Sequence, residues 1–277
     1  MTNISTTTKN TWCPGCFNFQ IFAGVKRFLE EEIDSGKDKD DFAIVTGIGC
    51  HAKMFDYLNI NGINSLHGRV LPTCLGLKVG NPNLNVIGFS GDGDAYAEGI
   101  AHTVHAARYN SDFTYVIHNN QVFALTLGEP TPTTELGFKD KTTPFGVNIN
   151  PLNPLKLMLA SGATFVARVF ADINQVKEVL KEAQKHKGFS FVEIIQPCIV
   201  FHNDKGYREK IYRLEDDDHD KTSFEEAWRK ADEFNYNTVT KIPVGIFYQK
   251  EAETFEDKFA MLKKFQEDKT SWKDIKR

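Results

Sequence analysis

The chain has 277 residues, 41% hydrophobic and 25% charged, with a formal net charge of −4, which gives it ordinary globular proportions and enough length to bury a sizeable core. The slight acidity gives no reason to expect a nucleic-acid or anionic-membrane partner. No uninterrupted apolar run reaches membrane-spanning length and Met1 to Lys9 lack the apolar core of a signal peptide, so a cytoplasmic chain with reduced cysteines is expected.

Trp12-Cys13-Pro14-Gly15-Cys16 opens the ordered part and leads into a helix, because Phe17, Ile21, Val25, Phe28 and Leu29 share one helical face. After a charged loop, Phe42 to Cys50 reads as a strand running into a glycine turn. Gly47-x-Gly49-x-x-Ala52 superficially fits a dinucleotide fingerprint, but Cys50 and His51 crowd the turn and no smooth apolar helix follows. Beyond Leu66-His67-Gly68-Arg69, Val70 to Val79 reads as a buried helix. Leu84 to Ser90 is a strand buried on both faces, Ala95 to Tyr109 a helix, and Phe113 to His118 a second strand. Thr126 to Thr134 is a Pro/Thr loop that can be neither helix nor interior strand, and it suits the wall of a pocket. Asn153 to Ala160 and Val176 to His186 read as helices, Thr164 to Phe170 and Phe189 to Gln196 as strands. Strands alternating with helices at this spacing predict an α/β fold, a doubly wound and mostly parallel sheet over residues 1–205.

Past Phe201 the composition turns polar and charged, so 206–277 is expected as an extension that docks on the core or on a partner subunit. Its run Glu215 to Asp220 reads as a solvated loop. Ser223-Phe224-Glu225-Glu226 fits a capping box before a helix whose apolar stripe is Phe224, Ala227, Trp228, Ala231 and Phe234.

Gly91-Asp92-Gly93-Asp94 ends the first of the two central strands, and Asn119-Asn120 ends the second. Gly91 and Gly93 lack a Cβ, so the backbone can turn there and approach a ligand. The following helix N-terminus favours an anion such as phosphate, which bare Asp92 would repel. A bridging cation resolves the conflict. Mg²⁺ takes near-octahedral oxygens at about 2.1 Å, and Asp92, the Asn120 side chain and the Val122 carbonyl offer three beside the phosphates. A calcium loop is a poorer fit, because Tyr96 stands where such a loop needs Asp or Asn.

Cys13 and Cys16 form a Cys-x-x-Cys pair, Cys50 follows a strand turn and Cys198 follows the last core strand, so all four can meet at one edge of a parallel sheet. Four thiolates in tetrahedral array suit an iron–sulfur cluster or structural Zn²⁺. Taken separately, the pair also suits a redox dithiol, and Cys50 or Cys198 a small buried hydrophobe.

Gly-Asp-Gly followed by Asn-Asn resembles the diphosphate-binding motif of thiamine diphosphate enzymes. Trp-Cys-Pro-Gly-Cys, Gly-Ile-Gly-Cys, Leu-His-Gly-Arg, Gly-Asp-Gly-Asp, His-Ala-Ala-Arg, Asn-Asn, Pro-Thr-Pro-Thr-Thr and Gln-Pro-Cys also stand in the order shown by the β subunit of 2-oxoacid:ferredoxin oxidoreductases, across roughly residues 10 to 205. This resemblance implies the thiamine diphosphate-binding fold and a [4Fe-4S] cluster on Cys13, Cys16, Cys50 and Cys198. It also implies Mg²⁺ on Asp92, Asn120 and Val122, and cofactor contacts at Gly91, Gly93, Asp94 and Thr126. Cys74 matches no ligand position.

The implied reaction is oxidative decarboxylation of a small 2-oxoacid, such as pyruvate, with coenzyme A to acyl-CoA and CO₂, the electrons passing through the cluster to ferredoxin. Lys53 matches a position near the substrate carboxylate in the family, although read alone it is a solvent-exposed lysine. His67 is a second candidate catalytic residue, facing the cofactor, and Arg69 a weaker one. Glu193 and Glu98 do not replace the glutamate that activates thiamine, which in the family comes from the α subunit, so an α (or α, γ and δ) partner in a hetero-oligomer is implied. Phe17 and Gln20 stand where the family has glycine, and Leu127 and Glu129 alter its usual loop, which leaves the substrate open. Two other readings compete: a non-redox thiamine diphosphate lyase with structural zinc, and a structural subunit without turnover.

Overall fold

The computed structural model of the chain describes residues 2–203, 206–237 and 239–269. The first half runs α1 (Asn18–Asp34), β1 (Phe42–Thr46), α2 (Met54–Tyr57), β2 (Asn61–Asn64), α3 (Val70–Gly80), β3 (Asn85–Gly91), α4 (Ile100–Tyr109) and β4 (Thr114–Asn119). A small ladder of β5 (Val122–Phe123) and β6 (Glu129–Pro130) follows. Then come α5 (Pro154–Ala160), β7 (Phe165–Phe170), α6 (Ile173–Lys185), β8 (Ser190–Ile195), α7 (Tyr207–Lys210), β9 (Ile211–Arg213), α8 (Phe224–Asp232), β10 (Ile242–Gln249) and α9 (Ala260–Glu267).

Eight of these strands form one sheet in the order β2-β1-β3-β4-β8-β7-β10-β9. Each neighbouring pair is parallel except β7 and β10. The central strands are buried along their length, so they read as continuous apolar runs rather than alternating ones. Their side chains still alternate between two cores: Val116 of β4 faces α1 and α6, whereas Tyr115 and Ile117 face α3, α4 and α5. Helices therefore cover both faces, as the doubly wound expectation requires. On the first face α1 lies directly on α6, because a Cβ at Gly24 would stand 2.8 Å from the Ile173 carbonyl oxygen.

The helix expected over Ala95 to Tyr109 is interrupted. Asp94–Glu98 makes one wide π turn, and the regular helix begins at Ile100. Gly99 sits at the break, where a Cβ would come within 3.0 Å of the Asp94 and Gly68 carbonyl oxygens. The Pro/Thr loop is also more ordered than expected, since Ala124–Thr126 makes a 3₁₀ turn and Glu129–Pro130 pairs with Val122–Phe123. A two-stranded edge is one of the few ladders that tolerates proline.

Beyond residue 205 the chain adds β9 and β10 to the same sheet, β10 lying antiparallel on β7, where the sequence predicts no strand. Of the expected apolar stripe, Ala227, Ala231 and Phe234 are buried and Phe224 and Trp228 are half-exposed. Ser223 caps α8 by accepting from Glu226 N–H, while the Glu226 carboxylate accepts from Asp220 N–H rather than closing a full box. Within the acidic run, Asp217 pairs with Lys230. The end of the expected extension, residues 270–277, lies outside the described residues. No helix among the described residues is long and apolar enough to cross a membrane.

Candidate active site

Parallel pairing brings the carboxyl ends of β1, β3, β4 and β8 level: Thr46 stands opposite Phe89, Gly91 opposite His118, and Asn119 opposite Ile195. The loops leaving these ends carry Cys50, Asp92, Asn120 and Gln196, and together they line one cleft. Ligands of open α/β sheets bind at this edge, where strand ends converge and loops diverge.

Asp92 is 1% exposed. Its carboxylate accepts from Asn120 N–H at 3.2 Å, from Thr131 Oγ1 at 2.5 Å and from Thr133 Oγ1 at 3.0 Å. These neutral donors only partly offset burial, which pushes its pKa up to about 6. An anion so held is stabilised by a cation, and the donor set around it is hard oxygen, which suits Mg²⁺. Asn120 and Val122 sit beside it in the same cleft, Asn120 Oδ1 accepting from Val122 N–H at 3.0 Å. Gly91 and Gly93 line the floor, and a Cβ at Gly93 would meet the Phe123 ring at 2.2 Å.

Asp94, 2% exposed, ties three loops together. It accepts from Gly68 N–H at 2.7 Å and Ile48 N–H at 3.4 Å, and His67 Nδ1 stands 2.8 Å away. Burial raises its pKa. Among the described residues the buried atoms His51 Nε2, His118 Nε2, Asp94 Oδ2 and Gln196 Oε1 have no close hydrogen-bond partner, His51 Nε2 and Asp94 Oδ2 facing each other only at 3.9 Å, and all four residues line the cleft. Buried polar groups are nearly always paired, so such a set fits a polar ligand in the cleft. Burial also keeps both histidines neutral, holding His51 well below its usual pKa and His118 at about 3.

The segments that carry Cys13, Cys16, Cys50 and Cys198 lie beside one another. Trp12 Nε1 donates to the Cys50 carbonyl at 2.7 Å, and a Cβ at Gly15 would stand 3.7 Å from Ile199 Cδ1, so the Cys13–Cys16 loop touches both other cysteine segments. Burial raises the Cys16 pKa, Asn18 opposes the rise through hydrogen bonds, and Cys198 and Cys13 add to it. Cys50 is pushed up to about 11 by burial, with Lys53 opposing and the other three thiols adding. All five cysteines are free thiols. Among the described residues no three His, Cys, Asp or Glu side chains are grouped as a ready site for a metal ion. The Asn18 amide points at Cys16 Sγ from 3.6 Å. Cys74 lies apart, fully buried between α3 and Gly88.

The structure thus gathers Gly91, Asp92, Gly93, Asp94, Asn120, Val122, Thr126, His67 and Cys50 around one cleft. Thr126 sits at its rim with its hydroxyl on Glu129. Lys53 is turned elsewhere, its Nζ donating to the Thr11 carbonyl at 3.2 Å, and Arg69 reaches the Glu98 carbonyl. Sequence reasoning passes over His51, His118, Gln196 and the hydroxyls of Thr131 and Thr133. The only signal for them is adjacency, since His51 follows Cys50, His118 precedes Asn119, and both threonines belong to the Pro/Thr loop.

Residues 47–194 match the family description "Thiamine pyrophosphate enzyme, C-terminal TPP binding domain". The cleft is accordingly that of a thiamine pyrophosphate-binding domain. Residues 198–264 match the family of C-terminal regions of the pyruvate ferredoxin oxidoreductase beta chain. A 2-oxoacid:ferredoxin oxidoreductase subunit beta from Saccharolobus solfataricus is 38% identical over 91% of this chain and 86% of its own length. The 2-oxoglutarate synthase subunit KorB of Archaeoglobus fulgidus is 34% identical over 92% and 90%. A solved structure of 2-oxoglutarate:ferredoxin oxidoreductase from Magnetococcus marinus, with 2-oxoglutarate, coenzyme A and succinyl-CoA bound, superposes with a TM-score of 0.87 at 33% identity, covering 97% of this chain and 90% of that one. The chain belongs to the family of 2-oxoacid:ferredoxin oxidoreductase β subunits, which are thiamine diphosphate-dependent oxidoreductases.

Proposed function

We propose that this chain holds thiamine diphosphate through Mg²⁺ on Asp92, Asn120 and the Val122 carbonyl, and a [4Fe-4S] cluster on Cys13, Cys16, Cys50 and Cys198. With an α subunit it would convert a small 2-oxoacid and coenzyme A to acyl-CoA and CO₂, passing electrons to ferredoxin. The observation that carries the reading is Asp92, a buried carboxylate met by neutral donors at the end of a central strand. When bound, the two cofactors supply an electron-accepting ring that lets CO₂ leave and a one-electron acceptor beside it.

The chain's own residues define the surroundings of that chemistry. Asp92 offers charge to the cation, and Gly91 and Gly93, lacking a Cβ, let the His51 and Phe123 rings pack directly against the backbone of the turn. His51 and His118 stay neutral, so they present hydrogen-bonding nitrogens rather than positive charge. Neutral His118 donates Nδ1–H to Asn18 Oδ1 at 2.9 Å, which leaves its Nε2 as an acceptor. Phe123 closes one wall against water. Of the two glutamates weighed from the sequence, Glu193 is locked to Arg168 at 2.7 Å and Glu98 faces solvent. This supports supply of that group by a partner chain.

Two measurements test the proposal. Protein purified without oxygen should be brown, with broad visible absorption that dithionite bleaches; a colourless protein with stoichiometric zinc would overturn the cluster. Asp92→Ala in the assembled complex should lose Mg²⁺-dependent retention of thiamine diphosphate, and unchanged cofactor content would refute the metal site.

A further inference from the structure

Asn120, the proposed cation ligand, lies between two residues that are each gripped by a tyrosine from beyond residue 205. On one side, Asn119 Nδ2 donates to Tyr236 Oη at 3.0 Å and to Glu193 Oε1 at 2.9 Å. On the other, Tyr207 Oη donates to Gln121 Oε1 at 2.8 Å. Both tyrosines are 2% exposed, so neither hydroxyl has bulk water as an alternative partner. Gln121 itself has φ +62°, a left-handed conformation that costs a non-glycine residue energy and must be held by its surroundings. Its amide is held further by donation to the Thr133 carbonyl at 3.0 Å.

The grip extends to Asp92. With its amide nitrogen fixed on Glu193 and Tyr236, Asn119 must turn Oδ1 the other way, where it accepts from Gln121 N–H at 3.2 Å and from Thr133 Oγ1 at 3.0 Å. Thr133 Oγ1 also stands 3.0 Å from Asp92 Oδ2, and its single proton serves one of the two acceptors at a time, so the hold on Asn119 sets how much of that donor Asp92 receives. A continuous chain of buried polar groups therefore runs from Tyr236 through Asn119 and Thr133 to Asp92. It starts from a rigid base, because Glu193 is paired with Arg168 at 0% exposure and the Arg168 guanidinium lies 5.0 Å from the Phe234 ring centre and 5.6 Å from that of Phe247.

We propose that Tyr207 and Tyr236 are positioning residues for the cation site, so that the segment after residue 205 completes the diphosphate pocket rather than merely covering the sheet. The inference rests on the reading of Asp92 and Asn120 as cation ligands. Neither tyrosine touches the cofactor; each fixes a neighbour of Asn120, and outer partners of this kind typically change metal affinity by roughly 10–100-fold.

The test uses the assembled complex and titrates Mg²⁺ at fixed thiamine diphosphate, reading cofactor binding by calorimetry, with a parallel thermal melt and iron analysis. Tyr236→Phe and Tyr207→Phe should each raise the Mg²⁺ requirement by about tenfold or more, with excess Mg²⁺ restoring binding and iron content unchanged. A purely structural role would lower the melting temperature but leave the Mg²⁺ midpoint in place, and that result would overturn the inference. Should Tyr236→Phe fail to assemble because Glu193 loses a donor, Tyr207→Phe, whose partner is Gln121, reads the same coupling and decides alone. Asp92→Ala separates the two levels. If it abolishes binding while both tyrosine variants bind as wild type, the cation site stands and the tyrosine role falls; if it binds as wild type, the site itself is misassigned.

Discussion

Gly47 and Asp94 compete for the same space: a Cβ built on Gly47 would lie 1.8 Å from Asp94 Oδ2. The glycine that ends β1 is therefore what admits the carboxylate that ties β1, β3 and the His67 loop together. Gly47→Ala should push Asp94 off the Gly68 and Ile48 amides. We expect a loss of stability of about 1–3 kcal/mol, the usual cost of orphaning buried donors, and weaker thiamine diphosphate binding. Denaturant midpoints and calorimetry check this, and an alanine variant that binds normally would show that Asp94 has another way to sit.

Acid should unfold the protein through its buried histidines. His118 and His51 have folded pKa values far below the ordinary 6.5, so below pH 6.5 the unfolded chain binds protons that the folded one refuses. Their contribution is whole above about pH 6.5 and declines as pH falls, by about 1.4 kcal/mol per pH unit for each histidine. Below about pH 6 the buried Asp92 takes up a proton more readily folded than unfolded and opposes this slope, so the test is the difference between two chains: in urea unfolding between pH 7.5 and pH 5, His118→Asn should differ from the wild type by one histidine's share. An unchanged slope would place the titration elsewhere.

Arg168 and Glu193 form a fully buried ion pair. Removing one partner strands the other charge, so Arg168→Met should cost about 3–5 kcal/mol. The paired change Arg168→Met with Glu193→Gln removes both charges while leaving an amide oxygen for Asn119 and Tyr236, and it should regain much of that loss. Equal destabilisation of the single and double variants in chemical denaturation would contradict this account.

Cys74 and Cys198 should part company in iron analysis. Cys74 is wholly buried away from the other thiols, so Cys74→Ala should keep full iron content and lose about 1–2 kcal/mol of stability through the small cavity left. Cys198→Ser should lower iron and visible absorption together. Loss of iron from Cys74→Ala would require a different ligand set.

Much of the core is legible because its signals are local. Gly91 to Asp94 and Asn119-Asn120 each announce a turn at a strand end, and the apolar runs around them are long enough to mark buried strands. The interrupted helix at Gly99 is not legible, because its cause is the approach of Gly68 from another loop. Nor are the β9 and β10 strands: Gly245 and Pro243 weaken the local strand signal, and what holds the segment is its pairing with β7.

The sequence by itself marked which carboxylate and which amide follow the ends of central strands, Asp92 after β3 and Asn120 after β4. Tertiary structure alone decided their company. It drew Thr131 and Thr133 onto Asp92 across 39 and 41 residues, and Tyr236 onto Asn119 across 117. It also turned Lys53 to Thr11 and left His51 and His118 neutral beneath the cleft. Spacing along a chain records which backbone turns are possible, whereas burial, and with it the charge a group can carry, depends on what distant segments bring against it.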